Sequence, residues 1–201
     1  MTYNYHKRAG NHRVIITLHG TGADEHDLDA VADYVDDQAT LYGLRGDVNE
    51  RGMLRWFKRH RPGVFDEADL QLRAKNLSQW LHLFAKEQGF SLSDVLFVGF
   101  SNGANMIASL LQLYPSTVRY AALLHGQVPL SEKDFSSLSK KGVFVSAGRQ
   151  DRMISYEQST ALRDMLVSAG ADVEFFSHEG SHQITREELD CLKKFYEQRI
   201  N

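Results

Sequence analysis

The stretch VLFVGFSNGAN, residues 95–105, changes character twice. Val95 to Val98 is unbroken apolar, Gly99-Phe100-Ser101-Asn102-Gly103 reads as a turn, and Met106-Ile107-Ala108-Ser109-Leu110-Leu111 as a helix. A buried strand feeding a helix through a sharp corner fits a parallel sheet covered by helices. At such a corner, side chains two residues before and after the central residue collide with the passing backbone. Gly99 and Gly103 therefore fit where larger residues would not, and Ala104 and Ala108 let the helix lie close to the sheet. The amides that open the helix face the Ser101 hydroxyl. Gly-x-Ser-x-Gly by itself is weak, since chance places it in roughly one chain in ten of this length. A glycine-rich corner with no chemistry is the bland reading. The strand before it and the helix after it make Ser101 a candidate nucleophile.

The same alternation extends in both directions. Apolar runs at 14–18, 95–100, 119–124, 143–147 and 173–177 read as strands, with a weaker one at 40–44. Helical spacing covers about 27–37, 68–88, 103–114, 156–168 and 186–198, the third ending at Pro115. The expected architecture is α/β, a mainly parallel twisted sheet with helices on both faces, in a single domain spanning 1–201. Residues 45–66, with Gly46, Gly52, Pro62 and Gly63, are too long for an idle connection and are a candidate lid or pocket wall.

Composition narrows the function. The chain has 201 residues, 42% of them hydrophobic, with a net charge of −3. That balance offers no footing for a nucleic acid, and the basic run from Arg55 to Arg61 is too small to change it. Cys191 is the only cysteine, which excludes an intrachain disulfide and a cysteine-rich metal site. There is no signal-peptide core and no run of about 18 apolar residues, so no membrane span is expected and a cytoplasmic location is the simplest expectation.

A serine hydroxyl needs a base beside it. In a parallel sheet that base comes from a loop at the carboxyl edge, where the serine emerges. His182, in HEGSHQIT after the last strand, is the first candidate, and His178 at the end of that strand is its rival. His125, in LLHGQVP, also ends a strand, but its loop carries no acid beside it. Asp151, in VFVSAGRQDRMIS, follows another strand and would hold the histidine tautomer. Its alternative duty is capping the next helix, which Ser155 can do itself. Glu179 is a minor rival, and Asp172 precedes its strand and so sits at the wrong end. The order Ser101, Asp151, His182 is that of α/β-hydrolases.

VIITLHGTGADE sets His19-Gly20-Thr21-Gly22 directly after the first strong strand. Such an enzyme takes one oxyanion donor from the residue after the nucleophile and one from an early loop, here the amides of Asn102 and Thr21. The bland reading is a glycine-rich turn capped by Asp24. A metal site made of His19, Asp24, Glu25 and His26 is weakly supported, and no metal or cofactor is expected.

LHGTGADEHDL, GFSNGAN, AGRQDRMIS and GSHQIT together resemble the phospholipase/carboxylesterase family, relatives of the acyl-protein thioesterases. RGDVNERGMLRWFKRHRPGVFDEADL resembles the bacterial subgroup found with hydroquinone- and quinone-resistance dioxygenases. The resemblance implies an α/β-hydrolase fold without a separate cap, the same triad and the same oxyanion donors. It also implies an acyl or aryl pocket walled by Met53, Trp56, Phe57 and Phe65, and it allows a homodimer. Two departures stand out: Ser181 where the family usually has glycine, and YGLRGDV where it has a proline-rich segment. The expected activity is hydrolysis of small or aryl carboxylic esters through an acyl-enzyme, linked to aromatic or quinone detoxification. A non-catalytic binding protein on this fold, or a thioesterase or lysophospholipase, are the alternatives.

Overall fold

The computed structural model describes residues 2–61 and 63–200; Pro62 of the expected lid lies outside the described residues. The strands are β1 (Tyr5–Arg8), β2 (Val14–Leu18), β3 (Thr40–Leu44), β4 (Val48–Glu50), β5 (Met53–Arg55), β6 (Arg59–Arg61), β7 (Val64–Phe65), β8 (Val95–Phe100), β9 (Tyr120–Leu124), β10 (Gly142–Gly148) and β11 (Asp172–His178). The α-helices are α1 (Asp29–Asp36), α2 (Glu67–Gln88), α3 (Asn102–Leu113), α4 (Tyr156–Ser168) and α5 (Arg186–Arg199).

The main sheet has seven strands in the order β1-β3-β2-β8-β9-β10-β11. All pairings are parallel except that of β1, which runs antiparallel along β3. Strands covered on both faces are apolar at nearly every position, and β2 and β10 are buried throughout. Their side chains nevertheless divide by pleat. Val95 and Phe97 of β8 pack with residues of α2, α3 and α4, whereas Leu96 and Val98 pack with α1 and α5. Each large side chain buried this way contributes about 1.5–3 kcal/mol relative to exposure.

After β2 the chain steps outward to β3, and later returns to place β8 on the other side of β2. The carboxyl ends of β2 and β8 therefore border the crevice where an open α/β sheet binds its ligand. Ser101 leaves from one strand and the His19–Gly22 loop from the other.

Two features go beyond the strands expected from the sequence. Residues 5–8 form β1. Its Tyr-His-Lys-Arg sequence is alternately exposed and half-buried, as an edge strand's is, so no apolar run marks it. Residues 45–66, the candidate lid or pocket wall, carry two small hairpins: β4 pairs with β5, and β6 with β7. Strands of two or three residues are too short to show a period. The turn between β4 and β5 has Arg51 at φ 55° and Gly52 at φ 87°, the left-handed pair that suits a tight hairpin.

Candidate active site

The corner after β8 is as crowded as its glycines imply. Ser101 stands at φ 53°, ψ −111°, a conformation few non-glycine residues adopt. It is held there by its amide, which donates to Leu124 O of β9 at 2.8 Å. A Cβ on Gly103 would lie 2.0 Å from Leu18 O, and one on Gly99 2.6 Å from Ala104 N. Both contacts are with backbone, which cannot step aside.

The loops after β10 and β11 bring Asp151 and His182 together. His182 Nδ1 donates to Asp151 Oδ2 at 2.6 Å, which leaves Nε2 as the ring's acceptor. Asp151 Oδ1 accepts the amides of Met153 at 2.8 Å and Ile154 at 3.0 Å. Burial pushes the Asp151 pKa up. The Ile154 amide, His182, His125 and the Met153 amide outweigh it, so the net direction is down and the group is a carboxylate. Capping of α4 falls to Ser155, which forms a reciprocal box with Gln158. The rival acids are engaged elsewhere: Glu179 is exposed and pairs with Arg149, and Asp172 pairs with Arg199.

His182 Nε2 is enclosed and has no hydrogen-bond partner among the described residues. Phe100, the neighbour of Ser101, has its ring 4.9 Å from that of His182. Met153 lines both the cavity at Ser101 and the cleft holding Asp151 and His182. Ser101 and His182 thus lie on neighbouring cavities that share Met153 and form no hydrogen bond with each other, a contact that often tightens only when substrate binds. Ser181 fits its loop without a left-handed backbone. The close approach there falls to Gly148, whose Cβ would lie 2.4 Å from Ser181 O.

The expectation that His125 has no acid beside it is overturned. Its Nδ1 lies 3.1 Å from Asp151 Oδ2, and its Nε2 lies 3.6 Å from Glu188 Oε2. It is fully buried. Burial alone would lower its pKa, but Glu188 and then Asp151 outweigh burial and raise it. His125 therefore sits between two buried carboxylates, one of which also holds His182. Ser146 Oγ donates to Glu188 at 2.5 Å, and His178 Nε2 stands 3.4 Å from His125 Nε2. His178 belongs to this network rather than to Ser101. The available signal was positional: His125 ends β9, the strand between those of Ser101 and Asp151.

The loop after β2 holds its amides in distinct ways. Gly20 N donates to Asp27 Oδ2 and Gly22 N to Leu54 O. Between them, Thr21 N has no acceptor among the described residues. The Asn102 amide opens α3 and has no intrahelical acceptor. Thr21, Asn102 and Ser101 all line a cavity of about 50 Å³. His19 holds no metal, because both its nitrogens are in use. Nε2 accepts from Gly46 N at 2.9 Å, and Nδ1 donates to Gly20 O at 2.6 Å. Burial lowers its pKa, in keeping with a neutral ring.

The expected aromatic wall is only partly there. Phe65 lines the Ser101 cavity. Met53 is 45% exposed and lies against Gly22 instead. Trp56 and Phe57, at 1% and 0% exposure, are core residues with no surface to offer a substrate. Trp56 is a tie: its Nε1 donates to His19 O at 3.0 Å and its amide to Asn102 Oδ1 at 2.8 Å. Sequence reading missed the groups that do line the cavity, namely Arg55, Arg59, Asn105, Gln127, Met153 and Ile154.

Residues 5–200 match the family described as Phospholipase/Carboxylesterase. A Bacillus subtilis (strain 168) protein carrying the name hydrolase MhqD is 37% identical over 200 residues, 100% of each chain. Carboxylesterase SOBER1 of Arabidopsis thaliana is 29% identical over 118 residues, 56% of this chain and 52% of that protein. Among solved structures, a Bacillus cereus carboxylesterase aligns with a TM-score of 0.95 at 36% identity, covering 98% of this chain and 94% of that one. YahD, whose structure was determined with malic acid, aligns at 0.92 with 25% identity, covering 98% and 100%. With this breadth of match and this sheet, the chain belongs to the phospholipase/carboxylesterase family and has the α/β-hydrolase fold.

Proposed function

We propose that the chain is a serine carboxylesterase of small esters, working as one domain with Ser101 as nucleophile. His182 Nε2 takes the hydroxyl proton as Oγ attacks the ester carbonyl, then returns it to the leaving alcohol. Asp151 fixes the tautomer and balances the imidazolium as it forms. The amides of Thr21 and Asn102 receive the oxyanion. Water attacks the acyl-enzyme by the same proton route and frees the acid. The observation that carries this reading is the Asp151–His182 contact, with a bare Nε2, beside a serine held at φ 53°.

The cavity at Ser101 shares Gly63, Phe65 and Gln127 with an apolar cleft of about 520 Å³, lined also by Val64, Val128 and Met165, which would receive the acyl group. The alcohol half faces the cleft at Arg149, Met153 and His182, about 720 Å³ and wide enough for an aryl group. A role in aromatic or quinone detoxification, which the subgroup resemblance suggests, would run through an aryl alcohol in that cleft. Turnover of p-nitrophenyl acetate tests the core of the proposal. Ser101→Ala and His182→Ala are each expected to lower kcat by about a thousandfold or more. A Ser101→Ala protein that keeps its rate would remove this mechanism.

A further inference from the structure

The small cavity beside Ser101 has an unusual charge. Arg55, at the end of β5, is only 3% exposed, yet it lines this cavity. Arg59, on β6, lines it as well, and no acidic residue does. Glu50 is the nearest countercharge: its Oε2 lies 2.9 Å from Arg55 Nε, and its Oε1 accepts the Arg59 amide at 3.4 Å. Even so, the Arg55 Nε–H makes no hydrogen bond among the described residues, so the approach of Glu50 is close but poorly aligned. Two guanidinium groups with one carboxylate leave a net positive charge within the reach of the nucleophile. Burial lowers the Arg55 pKa, Arg59 lowers it further, and Glu50 only partly offsets them. A buried, incompletely satisfied guanidinium is costly, and a bound anion relieves that cost.

We propose that Arg55, with Arg59, is a carboxylate-recognition site, and that the enzyme's substrates are small esters bearing a free carboxylate close to the scissile carbonyl. This rests on Ser101 being the nucleophile. The planar fork of a guanidinium matches a carboxylate in two parallel hydrogen bonds, with charge assistance. The cavity's lining supports the same ligand: Thr21, Asn105 and Gln127 stand beside the two guanidinium groups, and no acidic residue is among them. Glu50, 30% exposed at its side chain, has room to turn toward solvent as the substrate carboxylate enters.

The test uses the intact protein and competition for Ser101. A fluorophosphonate labels the serine, and the labelling rate is followed by intact mass with succinate, inorganic phosphate or neutral pentanamide present. Succinate is expected to slow labelling at least about tenfold more than pentanamide at equal concentration. That difference should collapse in Arg55→Met and shrink in Arg59→Gln. Arg55→Lys keeps the charge but loses the fork, and should recover only part of it. Arg59 is half-buried, so its variant keeps the test usable if Arg55→Met does not fold. In parallel, kcat/KM for monomethyl succinate should exceed that for methyl pentanoate in the wild type, with the ratio falling about tenfold or more in Arg55→Met. Equal protection by succinate and pentanamide, with Ser101 labelled normally, overturns the carboxylate site alone. Stronger protection by phosphate overturns the choice of carboxylate. No labelling of a folded wild type overturns the serine mechanism, and the substrate assignment falls with it.

Discussion

Single residues at this site act mostly through what they hold. Trp56 is buried, yet it joins both segments that carry the proposed oxyanion donors, through His19 O and Asn102 Oδ1. Trp56→Phe keeps most of the ring's bulk and the backbone bond to Asn102, and loses only the indole N–H. The Thr21 loop would then settle less accurately, and kcat is expected to fall about tenfold with KM changed less than about twofold. Steady-state kinetics decide it: an unchanged kcat with only a lower Tm would make Trp56 a packing residue and nothing more. The sequence position of Trp56, among Arg and Phe in 55–61, invites a pocket-wall reading because aromatics line many pockets. What was hidden is that a tryptophan with a hydrogen-bonding N–H can serve just as well inside a core.

Among the elements, the sheet was legible and its additions were not. Continuous apolar runs mark β2, β8, β9 and β10 because both faces of each are covered, and the helices between them show helical spacing for the opposite reason. β1 and the two small hairpins carry mixed exposure over two to four residues, which leaves no pattern to read. The candidate triad was legible because each member follows a different strand and the sheet gathers those ends. His125 escaped because its acids arrive from other loops, Asp151 after β10 and Glu188 in α5. At the start of α4 two tasks are divided: Asp151 takes the Met153 and Ile154 amides, and Ser155 caps Gln158 N. Ser155→Ala is therefore expected to cost about 1 kcal/mol in stability while leaving ester turnover within about twofold. Chemical denaturation alongside a rate assay checks this. A large rate loss at normal stability would mean that the cap and the acid are not separate.

At the scale of the whole molecule, the buried chain Asp151–His125–Glu188 ties the strand ends to α5 and makes folding sensitive to pH. His125 is held above its ordinary value of 6.5, so its stabilisation is complete below that value and is lost as pH rises through the elevated one. Asp151 is held below 3.8, so its contribution is complete above that value and is lost as pH falls through the depressed one. The titratable groups facing His125 are Asp151, Glu188, His178 and His182, so the two effects overlap in one network. Tm is expected to be highest between these ordinary values and to decline on the alkaline side. In His125→Gln, Tm should be lower at mildly acidic pH and its alkaline decline much flatter. Melting curves across pH would contradict this if the variant kept the wild-type slope.

The proposed mechanism requires the strained turn after β8 to present an activated serine. Intact-mass labelling with a fluorophosphonate, on the wild type, Ser101→Ala and His182→Ala, tests it without knowledge of the substrate. The prediction is one adduct on the wild type, located at Ser101, none on Ser101→Ala, and labelling slowed about a hundredfold or more on His182→Ala. An unlabelled but folded wild type, or an adduct that survives Ser101→Ala, would contradict it.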